Sequence, residues 1–522
     1  MAILTDSTSA LNVATLGKAI QPENVVRAAV LVFTLFIAYS ISRVVYNLWF
    51  HPLAKVPGSM LESAFFFPFA YIQYVQGRAP AALRKRHEKY GPVVRIGPNR
   101  LSYDGEVGWP SIFAHRRPGE PEYEKAPSPF GDKLTLLLAN KENHRRQRRQ
   151  LAHAFSDSSL VQQEATVIKY IDMLMASLTK LAKAGEPLDV VQWLNFTTFD
   201  IIGDLAFSDS FRSLESSQYN PWVLAIFQGI RGAAFLRFLM PYPIIQFLMM
   251  NIRLNSDVKV IDEIRHHARD KAKARMEYGA EKVDGEKDFT TYMMRMTRDG
   301  NPGMSQEEIL QNAPTLVLAG SETTATTLSG FCFYVGQRPD VYSKIVAEVR
   351  SAFDSEDDIT MARTASLPYV GAVINETLRL YPPVANTPER ISPGGMIDGQ
   401  YVPAGTSVSV SQWFTFRNPK HWVEPDSYIP ERWLPASHPL YDERFQCDNH
   451  AVFKPFSFGS RDCIGKNLAL AEMRLVICRL LLRFDFEILP GQEAWQSKQC
   501  SFVIWEKGQL MAKFTLREGL KA

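Results

Sequence analysis

The sequence predicts a mainly α-helical protein: a single large domain with a minor β part, preceded by one transmembrane helix. Three observations lead there. Between residues 143 and 353, long stretches repeat apolar side chains at helical spacing, separated by polar or proline-rich turns. Strand-like pieces are short and confined to a few places. Near the N-terminus a run without charge is apolar enough to enter a membrane. With 522 residues, 46% hydrophobic and 22% charged, the chain can bury a sizeable core. That length would allow two or three ordinary domains. Residues 60–522, however, contain no repeat, low-complexity tract or break in composition, so one large domain is expected.

The first element is the apolar run. Ala28 to Ser42 carries no charge and is bracketed by Arg27 and Arg43. The run is shorter than the roughly 20 residues a span needs. Val25 to Tyr46 reaches that length if both arginines snorkel to the interfaces. A secretory signal is the competing reading, but the segment before the run is not basic and no small-residue cleavage site follows. Arg43, Lys55, Arg84, Lys85 and Arg86 follow the span, whereas Asp6, Lys18, Glu23 and Arg27 precede it. The positive-inside rule then places the large part in the cytoplasm. The expected division is a short lumenal stretch over 1–24, the anchor over 25–46, a proline-containing hinge over 47–60 and the large domain over 61–522. One anchor does not make a transporter.

The prolines of "HPLAKVPG" (His51 to Gly58) predict a stiff, extended connector. "APAALRKRHEKYG" predicts an amphipathic helix ending at Gly91, and "PVVRIGPNRLSY" a small hairpin. Helices are expected around 143–155, 158–184, 190–207, 222–238, 255–278, 305–336 and 340–353. Strands are expected near 397–411, 483–489 and 498–516. The apolar stretch 222–250, broken by Pro241 and Pro243, is either core or a lid over an apolar pocket that dips into a membrane surface. Pro314 lies inside the helix starting near Ser305 and predicts a bend or irregular turn at 310–314, since an interior proline costs roughly 3 kcal/mol.

The chain has five cysteines, an odd number without a CxxC pair, which argues against a disulfide framework or a zinc ribbon and for a reducing compartment. One of them sits in "FSFGSRDCIG" (456–465). Cys463 could be a structural thiol, a nucleophile or a ligand. Gly459 and Gly465 let backbone approach something large and flat, and Arg461 suits a carboxylate. A helix from about Ile464 places Cys463 near a helix N-terminus, where a thiolate is favoured. A nucleophile would want a partner base, and no histidine is close in sequence. A single thiolate on a metal whose other ligands belong to a cofactor, as in haem iron, explains the lone cysteine better.

"FSFGSRDCIG" resembles the haem-thiolate signature of the cytochrome P-450 superfamily at every defined position: Phe456, Gly459, Arg461, Cys463 and Gly465. "ETLR" is similar to a second family motif. Glu376 and Arg379 are neighbours on one helical face, and the resemblance implies that Arg432 of "PERW" completes a structural Glu–Arg–Arg network with them. "AGSETT" (319–324) resembles the family's oxygen-binding groove, where the helix is locally widened. Mid-helix threonines otherwise bond back to i−4 carbonyls as neutral filler. The resemblance implies that Thr323 hydrogen-bonds the activated oxygen and that Glu322 links it to a proton supply. "HRRQRRQLAHAFS" resembles the helix that carries a propionate-binding arginine. His144 and Arg148 fit that pattern, with Arg390 and Arg461 on the same haem edge. Arg145, Arg146 and Arg149 would point elsewhere and, with Lys454 and Lys466, form a docking face for an acidic redox partner. "HPLAKVPG", "NFTTFDIIGDLAF" and "AGSETTATTLSG" look most like filamentous-fungal microsomal members of secondary metabolism.

The resemblance implies haem b bound through Cys463, and a monooxygenase that oxidises a mostly apolar small molecule. The substrate expected is a fungal polyketide or terpenoid intermediate. Electrons would come from NADPH through a flavoprotein reductase, with cytochrome b5 as a second donor, at the endoplasmic reticulum membrane. A haem-thiolate isomerase or dehydratase acting without O2 is the alternative, and a haem sensor or lipid-binding protein a third. Thr323 speaks for the monooxygenase. The net charge of +3 suggests no polyanion, hence no nucleic acid, as partner. Pocket residues are expected in 112–136, 222–250, 316–323, 384–388 and 500–504.

Overall fold

In the computed structural model, helices surround four small sheets among the described residues. The structure describes residues 22–117, 119–127, 133–219, 221–242, 245, 247, 269–279, 287–297, 300 and 302–517. Most of the expected stretch 1–24, and parts of 112–136, 222–250 and 255–278, lie outside the described residues.

The longer helices are α1 (Pro22–Val45), α2 (Ala79–Tyr90), α3 (Lys141–Ala152), α4 (Asp157–Ala184), α5 (Val190–Phe207), α6 (Pro221–Leu239), α7 (Gln306–Gly336), α8 (Pro339–Ala352), α9 (Pro368–Leu380) and α10 (Lys466–Arg483). Their ends follow local chemistry. Asn140 caps α3 by accepting from the Asn143 amide, and Ser156 caps α4, which stops at the left-handed Gly185. Ser305 and Glu308 form a reciprocal capping box at the start of α7.

α1 continues through a π turn, so that Glu23–Phe50 makes one apolar helix of 28 residues, its most apolar stretch unburied and its end tied to the domain through buried Asn47, which donates to the Ala64 carbonyl at 2.9 Å. At 1.5 Å per residue it reaches about 40 Å, enough for a bilayer core. The connector after it differs from expectation. Residues 51–56 form turns rather than an extended hinge, and Leu53 and Val56 are buried against the sheet.

The strands are β1 (Val93–Gly97), β2 (Arg100–Tyr103), β3 (Glu124–Lys125), β4 (Leu188–Asp189), β5 (Arg390–Ile391), β6 (Gly395–Ile397), β7 (Gln400–Val402), β8 (Ser407–Val410), β9 (Phe484–Ile488), β10 (Cys500–Ser501), β11 (Trp505–Glu506) and β12 (Met511–Leu516). The largest sheet runs β1-β2-β8-β5-β3. β1 and β2 form the expected hairpin, while β3 comes from a segment without a strand signal. Pairing of β3 with β5 sets Lys125 opposite Arg390.

α7 crosses the middle of the core against α5. It is continuous through Pro314, so the expected irregular turn is absent, although the helix begins where expected. The reason lies in the neighbourhood. Buried Asn312 donates to the Glu308 carbonyl at 2.8 Å and accepts from the Leu136 amide at 2.7 Å. One bond within the helix and one from a distant segment therefore brace the turn that the missing proline N–H weakens.

Candidate active site

Cys463 lies between a short 3-10 turn, Gly459–Arg461, and α10. Its amide donates to the Phe456 carbonyl at 2.8 Å, which folds the loop around the sulfur. The side chain is accessible to solvent. Burial nevertheless is the first cause pushing its thiol up, with Asp462 adding to the effect and the Gly465 amide, Arg148 and Lys466 opposing it. A side chain that solvent reaches and protein surrounds lines a concavity. The helix terminus does not dominate as expected: α10 begins beyond Cys463, at Lys466, and desolvation outweighs it. A metal ion at the sulfur would reverse this balance, because coordination deprotonates a thiol.

The two flanking glycines have different reasons. Gly459 sits at φ +81°, and a Cβ there would fall 1.9 Å from the Phe113 carbonyl oxygen. Its space is taken by protein backbone, not by a cofactor as expected. Around Gly465 a Cβ would meet only a Phe155 ring carbon at 3.7 Å. That side is left open for a flat group.

Beside the loop, cations converge. Arg461 pairs with Glu122 at 2.6 Å and donates to the Ala139 carbonyl at 2.9 Å. Arg390 is buried, its Nε lacks a hydrogen-bond partner, and burial followed by repulsion from Arg461 lowers it to about 10. His144 is buried and depressed to about 3, first by burial and then by Arg461, Arg148, Lys125 and Arg390. Burial also pulls Lys125 well below its ordinary value, with Arg390 and Arg461 reinforcing it. Arg148 has protein partners of its own. It donates to the Asp462 carbonyl at 2.6 Å and pairs with the Asp462 carboxylate, so it clamps the cysteine loop directly.

Among the described residues, the buried guanidinium groups of Arg390 and Arg461 share one carboxylate, Glu122, which leaves one buried positive charge over, with Lys125 and His144 beside them. Buried like charges persist only when an anion compensates them. A haem, which brings two carboxylates at one edge, fits this donor set, and Cys463 fits its iron.

On α7, Ala319 is exposed and Thr323 half-buried, while Glu322 is fully buried. The helix is not widened here. Ser321, Thr323, Thr327 and Ser329 all bond back to i−4 carbonyls at 2.7–3.1 Å, the filler pattern of mid-helix hydroxyls. Nor does Gly320 leave room for a ligand, because a Cβ there would meet Ile202 of α5 at 2.5 Å. Glu322 does not bond to Thr323; Oε1 pairs with Lys507.

Glu376, Arg379 and Arg432 come together as expected, all with no side-chain exposure. Both Glu376 oxygens are satisfied. Oε1 accepts from Arg379, Arg432 and the Ile429 amide, and Oε2 from Arg379 and the Trp433 indole, at 2.7–3.2 Å. Arg379 also donates to the carbonyls of Phe416, Pro425 and Ser427. This knot fixes the segment leading to the cysteine loop.

The docking face keeps only part of its expected members. Arg145 and Arg149 are exposed, but Arg146 bonds Glu308 and the Gly303 carbonyl and belongs to the start of α7. Sequence reasoning missed Lys125, Glu122, Asp462 and Lys507. Lys125 stands in a polar loop and Lys507 lies 185 residues from its partner, so neither carries a local signal.

A family model described as Cytochrome P-450 matches residues 62–514. A cytochrome P-450 monooxygenase of Aspergillus oryzae, astJ, is 38% identical over 486 residues, covering 91% of this chain and 95% of that protein. The trichothecene C-4 hydroxylase of Trichoderma arundinaceum is 36% identical over 490 residues, covering 93% and 97%. The trichothecene C-15 hydroxylase of Fusarium sporotrichioides is 36% identical over 479 residues, covering 91% and 95%. With an accessible cysteine, a buried surplus of cations beside it and these likenesses along nearly the whole chain, the protein belongs to the cytochrome P-450 family, as a monooxygenase.

Proposed function

We propose that the chain is a single-pass protein of the endoplasmic reticulum. Its cytoplasmic domain hydroxylates or otherwise oxidises a mostly apolar intermediate of fungal secondary metabolism, a polyketide or terpenoid. The observation that carries the reading is the buried cation cluster beside an accessible Cys463. Two relatives named for hydroxylation of trichothecenes support the substrate class. The exposed apolar helix Glu23–Phe50 supports the anchor. Electrons come from NADPH through a flavoprotein reductase, with cytochrome b5 as a further donor.

Haem b, when bound, supplies activation of O2, so that one oxygen atom enters the substrate and the other leaves as water. The chain's own residues do the rest. Cys463 would supply the thiolate that binds the haem iron. Arg390, Arg461, Lys125 and His144 hold the carboxylate edge, with Arg461 sharing Glu122. Arg148 keeps the loop in place through Asp462. Thr323 presents a hydroxyl on the accessible face of α7, and Glu322 delivers protons to it.

Reduced protein under carbon monoxide should give the thiolate-type spectrum, and Cys463→Ala should abolish it; survival of that spectrum rejects the axial assignment. Adding polyketides, terpenoids and fatty acids to ferric protein, and following the haem spectrum for water displacement, tests the substrate class.

A further inference from the structure

The centre of α7 has two faces. Ala319 and Thr323 are accessible, whereas Glu322, Thr326 and Ser329 are buried. Lys507 meets the buried face from the far end of the chain. Its ammonium donates to Glu322 Oε1 and, at 2.9 Å, to Thr326 Oγ1. The two charged side chains are 2% and 1% exposed. Glu322 Oε2 is buried without a hydrogen-bond partner.

A structural carboxylate in this protein looks different, as Glu376 shows with donors on both oxygens. A buried carboxylate held by one oxygen is costly unless the other serves a changing partner. Burial draws Lys507 down to about 7, and the carboxylate in contact opposes this by favouring the charged ammonium. The latch has a rigid support. Lys507 directly follows the β10–β11 hairpin, in which the Trp505 indole donates to the Pro382 carbonyl at 2.8 Å. The adjacent Gly508 carbonyl accepts from the Trp495 indole at 2.9 Å.

We propose that Lys507 is the positioning residue of the proton pathway: it latches the Glu322 carboxylate on the buried face of α7, away from Thr323, and proton delivery requires that latch to open. This rests on reading Glu322 and Thr323 as the proton-handling pair.

The test uses full-length, haem-loaded protein with an NADPH-dependent reductase and no added substrate. Each idle turn consumes NADPH, one proton and O2 and releases NADP+ and hydrogen peroxide. A positioned proton donor contributes about 10²-fold or more, so Glu322→Gln is expected to slow the idle turnover, and partial release in Lys507→Met to speed it about tenfold. Lys507→Arg keeps the cation and should stay near wild type. Loss of packing alone would slow both Glu322→Gln and Lys507→Met, so the opposite directions are diagnostic. Infrared difference spectra of the ferric protein give a readout independent of turnover. Lys507→Met should gain a protonated-carboxyl band that disappears in the Lys507→Met, Glu322→Gln double variant. Should Lys507→Met fail to accumulate, Lys507→Gln carries the same expectations. Idle turnover unchanged or slowed in the Lys507 variant, with no new carboxyl band, overturns the latch. If instead Glu322→Gln and Thr323→Ala both behave as wild type, the proton-handling reading itself fails, and the latch with it.

Discussion

Gly459 has φ +81°, and a Cβ there would reach within 1.9 Å of a backbone oxygen. A left-handed non-glycine residue costs roughly 1–2 kcal/mol and overpacking typically 1–3 more. Gly459→Ala is therefore expected to lower the melting temperature of the protein even before haem is considered. Gly465→Ala meets only one ring carbon at 3.7 Å. It should leave apoprotein stability near wild type, and any loss of haem retention measures how closely the macrocycle approaches. A second expectation concerns His87, buried, stacked on Phe414 and bonded to Ser102 and the Gly91 carbonyl. Burial lowers it from 6.5 to about 4. Its folded value is below its unfolded one, so the unfolded chain binds the extra proton. The stability is present above about 6.5 and is lost as pH falls toward 4. Denaturant titrations at pH 7 and pH 5 should differ by about 2 kcal/mol from this group, and His87→Gln should flatten that slope. Among single residues the sequence made Cys463, Glu376 and Arg379 legible, because their motifs are local. It gave no sign that Arg148 bonds Asp462, because Asp462 lies 314 residues away.

At the scale of elements, α7 runs unbroken through Pro314. Pro314→Ala restores a donor to the helix without removing any of the bonds around Asn312. It should raise the unfolding free energy by up to about 3 kcal/mol, read in denaturant melts; a loss of stability would show that the helix depends on the proline. The knot around Glu376 predicts the reverse. Glu376→Ala leaves buried Arg379 without a carboxylate and Arg432 with Asp448 alone, at about 3–5 kcal/mol, and should yield little soluble haem protein. Helix periods and caps made α2, α4, α5 and α7 readable to within a few residues. β3 was unreadable, since two residues of strand in a polar loop acquire meaning only through pairing with β5.

For the molecule as a whole, the exposed basic residues of α3 remain a candidate docking face, but a smaller one. Arg145→Gln with Arg149→Gln should slow reduction by the reductase, with the difference shrinking as salt rises, in stopped-flow measurements. Arg146→Gln, which breaks a bond network to Glu308, should instead lower stability. By itself the sequence determined the family, the thiolate, the helical architecture and an apolar helix at the N-terminus. These rest on short motifs and on periodicity, which neighbouring residues carry together. Only the tertiary structure decided which charges meet: Lys125 opposite Arg390, Arg148 on Asp462, Arg461 on Glu122, and Lys507 on Glu322. Such pairs join distant parts of the chain. Their strength comes from burial at a common point, which no window of sequence contains.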